Sequence, residues 1–279
     1  MNRLFALLFL LLSPFLTLNS QEIGRLPFKN FSHRDYLGHF QNWAVIQDFR
    51  GMIYSCNNSG VLEYDGNDWR IISINNAIAR CIDSDSNGRI WVGGQDEFGY
   101  LAPDSLGSMV YHSLNHLVDV GCLPFGMVRQ VFATDNGIFF SANNCLFRVN
   151  GSKVDTWYPK TFFHRTYHVF DRIFSVQPEI GLTVQVNDTL ILVPEGERFA
   201  NTRVYAMVKY DEESILIATQ SEGFFLYKIS ALMNGKVSTK VDILEPFQTS
   251  DDNFFKENWV YNGIVLPNGL FAFGTYRGG

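Results

Sequence analysis

Asp85-Ser-Asn-Gly-Arg-Ile-Trp-Val-Gly93 reads as a polar turn running into a short apolar strand. Asp, Asn and Gly favour tight turns, because their side chains bond nearby backbone or leave it free to reach positive φ. Ile-Trp-Val is β-branched and aromatic, the composition of a pleated, half-buried surface. Arg80-Cys-Ile-Asp-Ser-Asp-Ser-Asn-Gly88 leads into this strand, and Glu97-Phe-Gly-Tyr-Leu101 follows it. The same order recurs along the chain. Trp43-Ala-Val-Ile-Gln-Asp-Phe-Arg-Gly51 is followed by Met52-Ile-Tyr-Ser-Cys56 and Gly60-Val-Leu-Glu-Tyr-Asp-Gly66. Val128 to Gly151 repeats it through Asp135-Asn-Gly137. Tyr167 to Val186 is a degenerate copy, Val204 to Lys228 a fifth, and Trp259 to Gly274 begins a sixth. The central strands start near Ile53, Ile90, Ile138, Ile173, Ile215 and Leu270, a spacing of about 43 residues. A period of that size built only of short strands is the signature of propeller blades. Helical repeats are excluded, since no unit has helical apolar spacing and Asn-Gly turns sit where a helix would run. A β-sandwich is the alternative, but it needs no such period. The expected fold is all-β: a β-propeller of four-stranded blades, incomplete, with about five and a half blades present.

Composition agrees. Of 279 residues, 46% are hydrophobic and 18% charged, enough apolar surface for a packed core. The 25 Phe residues fall largely on the expected strands, where large rings fill the gap between stacked blades; Phe98, Phe139, Phe140, Phe224, Phe225, Phe271 and Phe273 are read this way. The formal net charge of −6 argues against nucleic acid as a partner, because phosphate binding needs a basic face.

Residues 1–20 are expected to be a secretory signal peptide. Arg3 precedes an unbroken apolar run, Leu4 to Leu12, and Ser20 offers a small residue for cleavage. An uncleaved anchor would need a longer apolar span without the internal Pro14. The domain then runs over 21–279, and the product is expected to be exported. Export permits disulfides. Cys56, Cys81, Cys122 and Cys145 allow three pairings that sequence does not separate, and three of them lie in apolar strand-like segments, where a buried thiol is the simpler reading.

Three stretches also carry a family resemblance. Asn30-Phe-Ser-His-Arg-Asp-Tyr-Leu-Gly-His-Phe-Gln-Asn-Trp-Ala-Val-Ile-Gln-Asp48, Gly60-Val-Leu-Glu-Tyr-Asp-Gly-Asn-Asp-Trp69 and Ile90-Trp-Val-Gly-Gly-Gln-Asp-Glu-Phe-Gly-Tyr-Leu101 resemble the N-terminal sensor of Bacteroidetes regulators built from two-component-regulator propeller repeats. The resemblance spans residues 24–279 and is carried mainly by the first two blades. It implies a periplasmic propeller followed by a triple-tyrosine β-sandwich, a membrane helix and an output module, either a histidine kinase or a helix-turn-helix domain. Against that pattern Tyr276-Arg-Gly-Gly279 falls in the middle of a blade, so the chain is expected to be a truncated form. The family implies an oligosaccharide or other small-molecule ligand, membrane attachment only through the following segment, and homodimers of the full-length protein.

Most chemistry-bearing residues have plainer roles. Asp83-Ser-Asp-Ser-Asn-Gly88 imitates a calcium loop, but Gly94 stands where the bidentate Glu belongs, so a blade turn is expected. His112 and His116, like His164 and His168, are four apart, a spacing that makes a facing pair on a helix and not on a strand. Neither a nucleophile elbow nor a phosphate-binding Gly-Lys-Ser/Thr loop is present, so no catalytic residue, metal or cofactor is expected. Acids such as Asp35, Glu63, Asp65 and Glu97 leave a carboxylate-pair glycosidase as an alternative, with a protein-interaction scaffold as another. The favoured site is the mouth of the central channel, where the chain enters each innermost strand. Asn42, Trp43, Arg80, Arg129, Arg203, Asn258 and Trp259 occupy such entries. Aromatic faces stack on a sugar, while amides and guanidinium groups bond its hydroxyls or carboxylates. The competing role is to tie neighbouring blades together. His33, Asp35, Tyr36 and His39 precede the first blade and are candidates for fixing ring closure.

Overall fold

Each repeat folds into a small antiparallel meander whose strands pair in sequence order. In this computed structural model residues 28–233 and 243–278 are described. The signal peptide expected over residues 1–20 lies outside them. The repeats lie within one compact unit, Ser32–Gly279.

Blade 1 consists of Asn42–Gln47, Ile53–Asn57, Gly60–Tyr64 and Trp69–Ile72. Blade 2 is Ala79–Ser84, Ile90–Gly94, Glu97–Pro103 and Met109–Ser113. Blade 3 is Gln130–Thr134, Gly137–Ser141, Leu146–Asn150 and Lys153–Trp157. Blade 4 is Arg165–Val169, Arg172–Gln177, Gly181–Val186 and Thr189–Leu192. Blade 5 is Val204–Lys209, Ser214–Thr219, Phe224–Lys228 and Leu244–Phe247, and Val260–Val265 with Phe271–Thr275 form a two-stranded blade 6. The architecture is therefore the expected incomplete propeller, five full blades and a half among the described residues. The first strands of successive blades approach one another, which puts them innermost.

The quoted turn shows why the repeat folds as it does. Asp85 Oδ1 accepts the backbone N–H groups of Asn87 (2.9 Å) and Arg89 (3.0 Å), and Gly88 takes the positive φ (+77°) that closes the loop. The other carboxylate oxygen, Oδ2, accepts the Trp91 indole N–H at 3.0 Å, locking turn to strand. Asp48 does the same in blade 1, accepting from Arg50 and Met52 N–H at 2.9 and 3.0 Å. The calcium-like stretch is thus a blade turn whose carboxylate is spent on backbone amides. Blade 4, expected to be degenerate, is a regular four-stranded sheet. It lacks the Gly turn because Phe170 and Asp171 both adopt positive φ (52° and 54°) in a two-residue hairpin between Val169 and Arg172.

Apolar residues gather in five clusters, one at each contact between successive blades. Adjacent phenylalanines serve opposite neighbours, as strand alternation requires. Phe139 packs with Phe163 and Ile173 toward blade 4, while Phe140 packs with Trp91 and Phe98 toward blade 2. Phe224 faces blade 6 and Phe225 faces blade 4. All four cysteines are buried free thiols.

Of the short helices that lie outside the expected all-strand pattern, two pack on the ends of the repeat array. His33–Tyr36 is a single turn capped by reciprocal bonds between Ser32 and Asp35, with Tyr36 buried near Trp69 of blade 1. Asp252–Asn258 precedes blade 6, and its Phe255 packs on Phe224 and Phe273. No helix among the described residues is long and apolar enough to cross a membrane.

Candidate functional site

The first strands share an irregularity. Asn42 pairs with Asn57 and Ala44 with Cys56, so Trp43 is an extra residue in its strand. The same slip isolates Arg80 in blade 2, Tyr205 in blade 5 and Tyr261 in blade 6. In blade 3 the Arg129 N–H donates to Ser141 O (2.8 Å) although Gln130 already pairs with Ser141. In blade 4 the His164 N–H donates to Val176 O (2.9 Å), the residue that Arg165 pairs with. Two residues thus oppose one at the entry of every first strand. A bulge interrupts the alternation of the pleat and re-aims a side chain. The re-aimed side chains and their neighbours line one cavity of about 740 Å³.

Of the residues expected at the mouth, Asn42, Trp43, Arg80, Arg129 and Arg203 line this cavity. Asn258 and Trp259 do not. They end the helix before blade 6, where Trp259 lies under the Arg277 guanidinium (4.0 Å), and Tyr261 and Asn262 line the cavity instead. Asn42 has a mixed position. The residue is exposed, but its amide is tied to the fold, donating to Tyr36 Oη (3.1 Å) and accepting from Asn57 Nδ2 (2.8 Å). Asn57 is fully buried and also donates to the His39 and Gln41 carbonyls, so Tyr36 and His39 help anchor the entry to blade 1.

The proposed blade-linking role is real for part of the set. The Arg80 guanidinium of blade 2 lies 3.7 Å from the Trp43 ring centroid of blade 1. Arg165 of blade 4 lies over Tyr205 of blade 5 (4.7 Å) and Tyr261 of blade 6 (5.5 Å), and the two tyrosines stack at 5.2 Å. Sequence reading missed Arg165, His164, Tyr205, Tyr261 and Tyr276. The first four sit at or beside the bulge, one or two residues from where uninterrupted alternation would place an entry residue.

The cavity is cationic. Arg80, Arg129, Arg165 and Arg203 line it together with His164, and no Asp or Glu among the described residues does. None of the four arginines has an ion-pair partner among the described residues. Burial, with the charges of Arg129 and Arg165, lowers the Arg80 pKa from its ordinary value, opposed by Tyr261. Burial, then Arg165, Arg203 and Arg129, push the His164 pKa down to about 4, so the imidazole is neutral at pH 7.

The acids considered for catalysis are elsewhere and engaged. Asp35 caps its helix, Glu63 pairs with Arg70 (2.6 Å), and Asp65 accepts the Asn67 and Asp68 N–H groups. Glu97 accepts from Tyr111 Oη (2.9 Å) and Asn75 Nδ2 (3.0 Å). The histidine pairs diverge: His112 stacks on Tyr100, and His168 lies beside Phe132, away from His164 in the cavity. No group of three metal-binding side chains occurs among the described residues.

No protein-family model and no curated protein matches the chain. Among solved structures, it is similar to the extracellular domain of the one-component system BT4673 from B. thetaiotaomicron, with 18% identity and a TM-score of 0.59 over 84% of this chain and 30% of that one. It is similar to the extracellular domain of the hybrid two-component system BT3049 from B. thetaiotaomicron, with 15% identity and a TM-score of 0.61 over 92% of this chain and 34% of that one. Virginiamycin B lyase from Staphylococcus aureus gives 10% identity and a TM-score of 0.56 over 84% of both chains. The chain spans about a third of the length of the two B. thetaiotaomicron domains. At these identities the shared property is the propeller fold, which serves binding and catalysis alike.

Proposed function

We propose that this chain is the ligand-sensing propeller module of an extracytoplasmic signal-transduction protein, and that its ligand is an oligosaccharide bound in the cavity of the first strands. The observation that carries the reading is the recurrence of one backbone device, the entry bulge, in all six blades, each time supplying a side chain to the same cavity. The exposed aromatic rings of Trp43 and Tyr261 beside guanidinium groups and the Gln130 amide form a lining suited to sugar rings and their hydroxyls. The likeness to extracellular domains of one- and two-component systems supports the sensing role. Membrane anchoring, a periplasmic location and control of transcription belong to the same proposal.

A ligand shifts a signalling equilibrium only by binding its states unequally. A sugar touching several first strands would favour one relative placement of the blades, and that placement is what a following segment can read.

The test is a thermal-shift screen of the purified chain against oligosaccharides, with Trp43→Ala as the control. A ligand that binds only the folded state raises Tm with concentration. The reading expects such a rise for at least one oligosaccharide and its loss in Trp43→Ala. A rise that Trp43→Ala leaves intact would put the site elsewhere.

A further inference from the structure

We infer that the ligand of this cavity is an acidic oligosaccharide, one whose sugar chain bears carboxylate or sulfate groups that the four arginines share. The inference rests on the reading of the cavity as an oligosaccharide site and adds its charge. Four guanidinium groups from four successive blades meet around one space without a carboxylate among the lining residues. In a protein of net charge −6, concentrating unpaired arginines in one place opposes the mean charge of the surface. Arg80 and Arg165 are oriented by aromatic rings, whereas Arg129 and Arg203 are exposed and make no ion pair among the described residues. That division leaves two fixed cations at the wall and two extended ones free to fork onto oxyanions.

Two further features lie on the same lining. His164 Nδ1 is buried without a hydrogen-bond partner among the described residues, and so is Asn143 Oδ1 on the same lining. The groups facing His164 are Arg165 on its own strand, Arg129 from blade 3, and Arg203 and Tyr205 from blade 5. Burial first, and their positive field in addition, keep the imidazole neutral, and an anion seated among them would cancel the field's share. Binding should therefore be coupled to proton uptake and should tighten as pH falls from 7 toward 5.

The experiment is calorimetric titration of the purified chain with four probes: an oligogalacturonate, a sulfated chondroitin oligosaccharide, a neutral xylo-oligosaccharide of similar length, and sodium sulfate. Carboxylate and sulfate sources are separated by the first two arms. The expected result is binding of one or both acidic oligosaccharides and none of the neutral one. Arg129→Gln and Arg203→Gln should each weaken it about tenfold or more, while Lys256→Gln leaves it unchanged. Affinity should fall with added salt, and heats measured in two buffers at pH 5.5 should reveal proton uptake that His164→Gln abolishes. Equal binding of the neutral oligosaccharide would overturn the charge inference and leave the oligosaccharide site standing. Binding of sulfate alone, or of no probe, would overturn both.

Discussion

At the scale of single residues, the repeat is held by side chains that answer backbone needs. Asp85 satisfies two loop amides and the Trp91 indole at once. Asp85→Ala should lower unfolding free energy by about 1–3 kcal/mol, because those donors lose their acceptor in a half-buried turn. Denaturant titration checks it, and the loss should shrink when Trp91→Phe has already removed the indole. His164 gives a pH dependence of definite sign. Its folded pKa of about 4 lies below the ordinary 6.5, so its contribution to stability is complete above pH 6.5 and disappears as pH falls through 4. Between those values the unfolded chain binds a proton that the folded chain refuses. His164→Gln should therefore lose less stability than the unsubstituted chain between pH 7 and pH 5 in denaturant titrations. Equal losses would contradict the neutral, half-buried imidazole.

At the scale of elements, blade contacts explain the sequence pattern. Gly93, near the end of the strand Ile90–Gly94, is glycine because the approach to the next blade comes too close for a side chain. A Cβ there would stand 2.5 Å from Val128 Cγ1 and 2.8 Å from Cys81 Sγ. Gly93→Val should cost about 1–3 kcal/mol or more through overpacking. Phe98→Ala should cost about 3–5 kcal/mol, since the ring is fully buried among Phe125, Phe140 and Phe147. Both are read by denaturant midpoint. These contacts also show what was legible in the sequence. Turn chemistry and strand alternation are local, so the starts of all six central strands could be read to within a residue. Blade 4 looks degenerate in sequence because it lacks the tryptophan and because Phe170-Asp171 performs with positive φ what Gly performs elsewhere. The bulges were not legible. They arise where two residues meet one partner across a pairing, and neither Arg165 nor Tyr205 carries a local mark of it. Reading past them displaced the expected site residue of blade 6 from Tyr261 to Asn258 and Trp259.

At the scale of the whole molecule, aromatic residues divide into two populations. Most rings, including the phenylalanine pairs, are inter-blade packing and carry no recognition. A minority at the bulges stand beside unpaired arginines around the innermost strands. Trp43 and Arg80 belong to both groups, joining blade 1 to blade 2 while lining the cavity. Under the proposed reading, a ligand in the cavity would act on blade placement through such residues. The most direct measurement is a crystal structure of the chain with a bound oligosaccharide. The account predicts sugar density in the 740 Å³ cavity, in contact with bulge residues of at least three blades and with Arg129 or Arg203. Density in the separate hollow lined by Trp157, Lys160 and Gln177, with the first strands untouched, would contradict it.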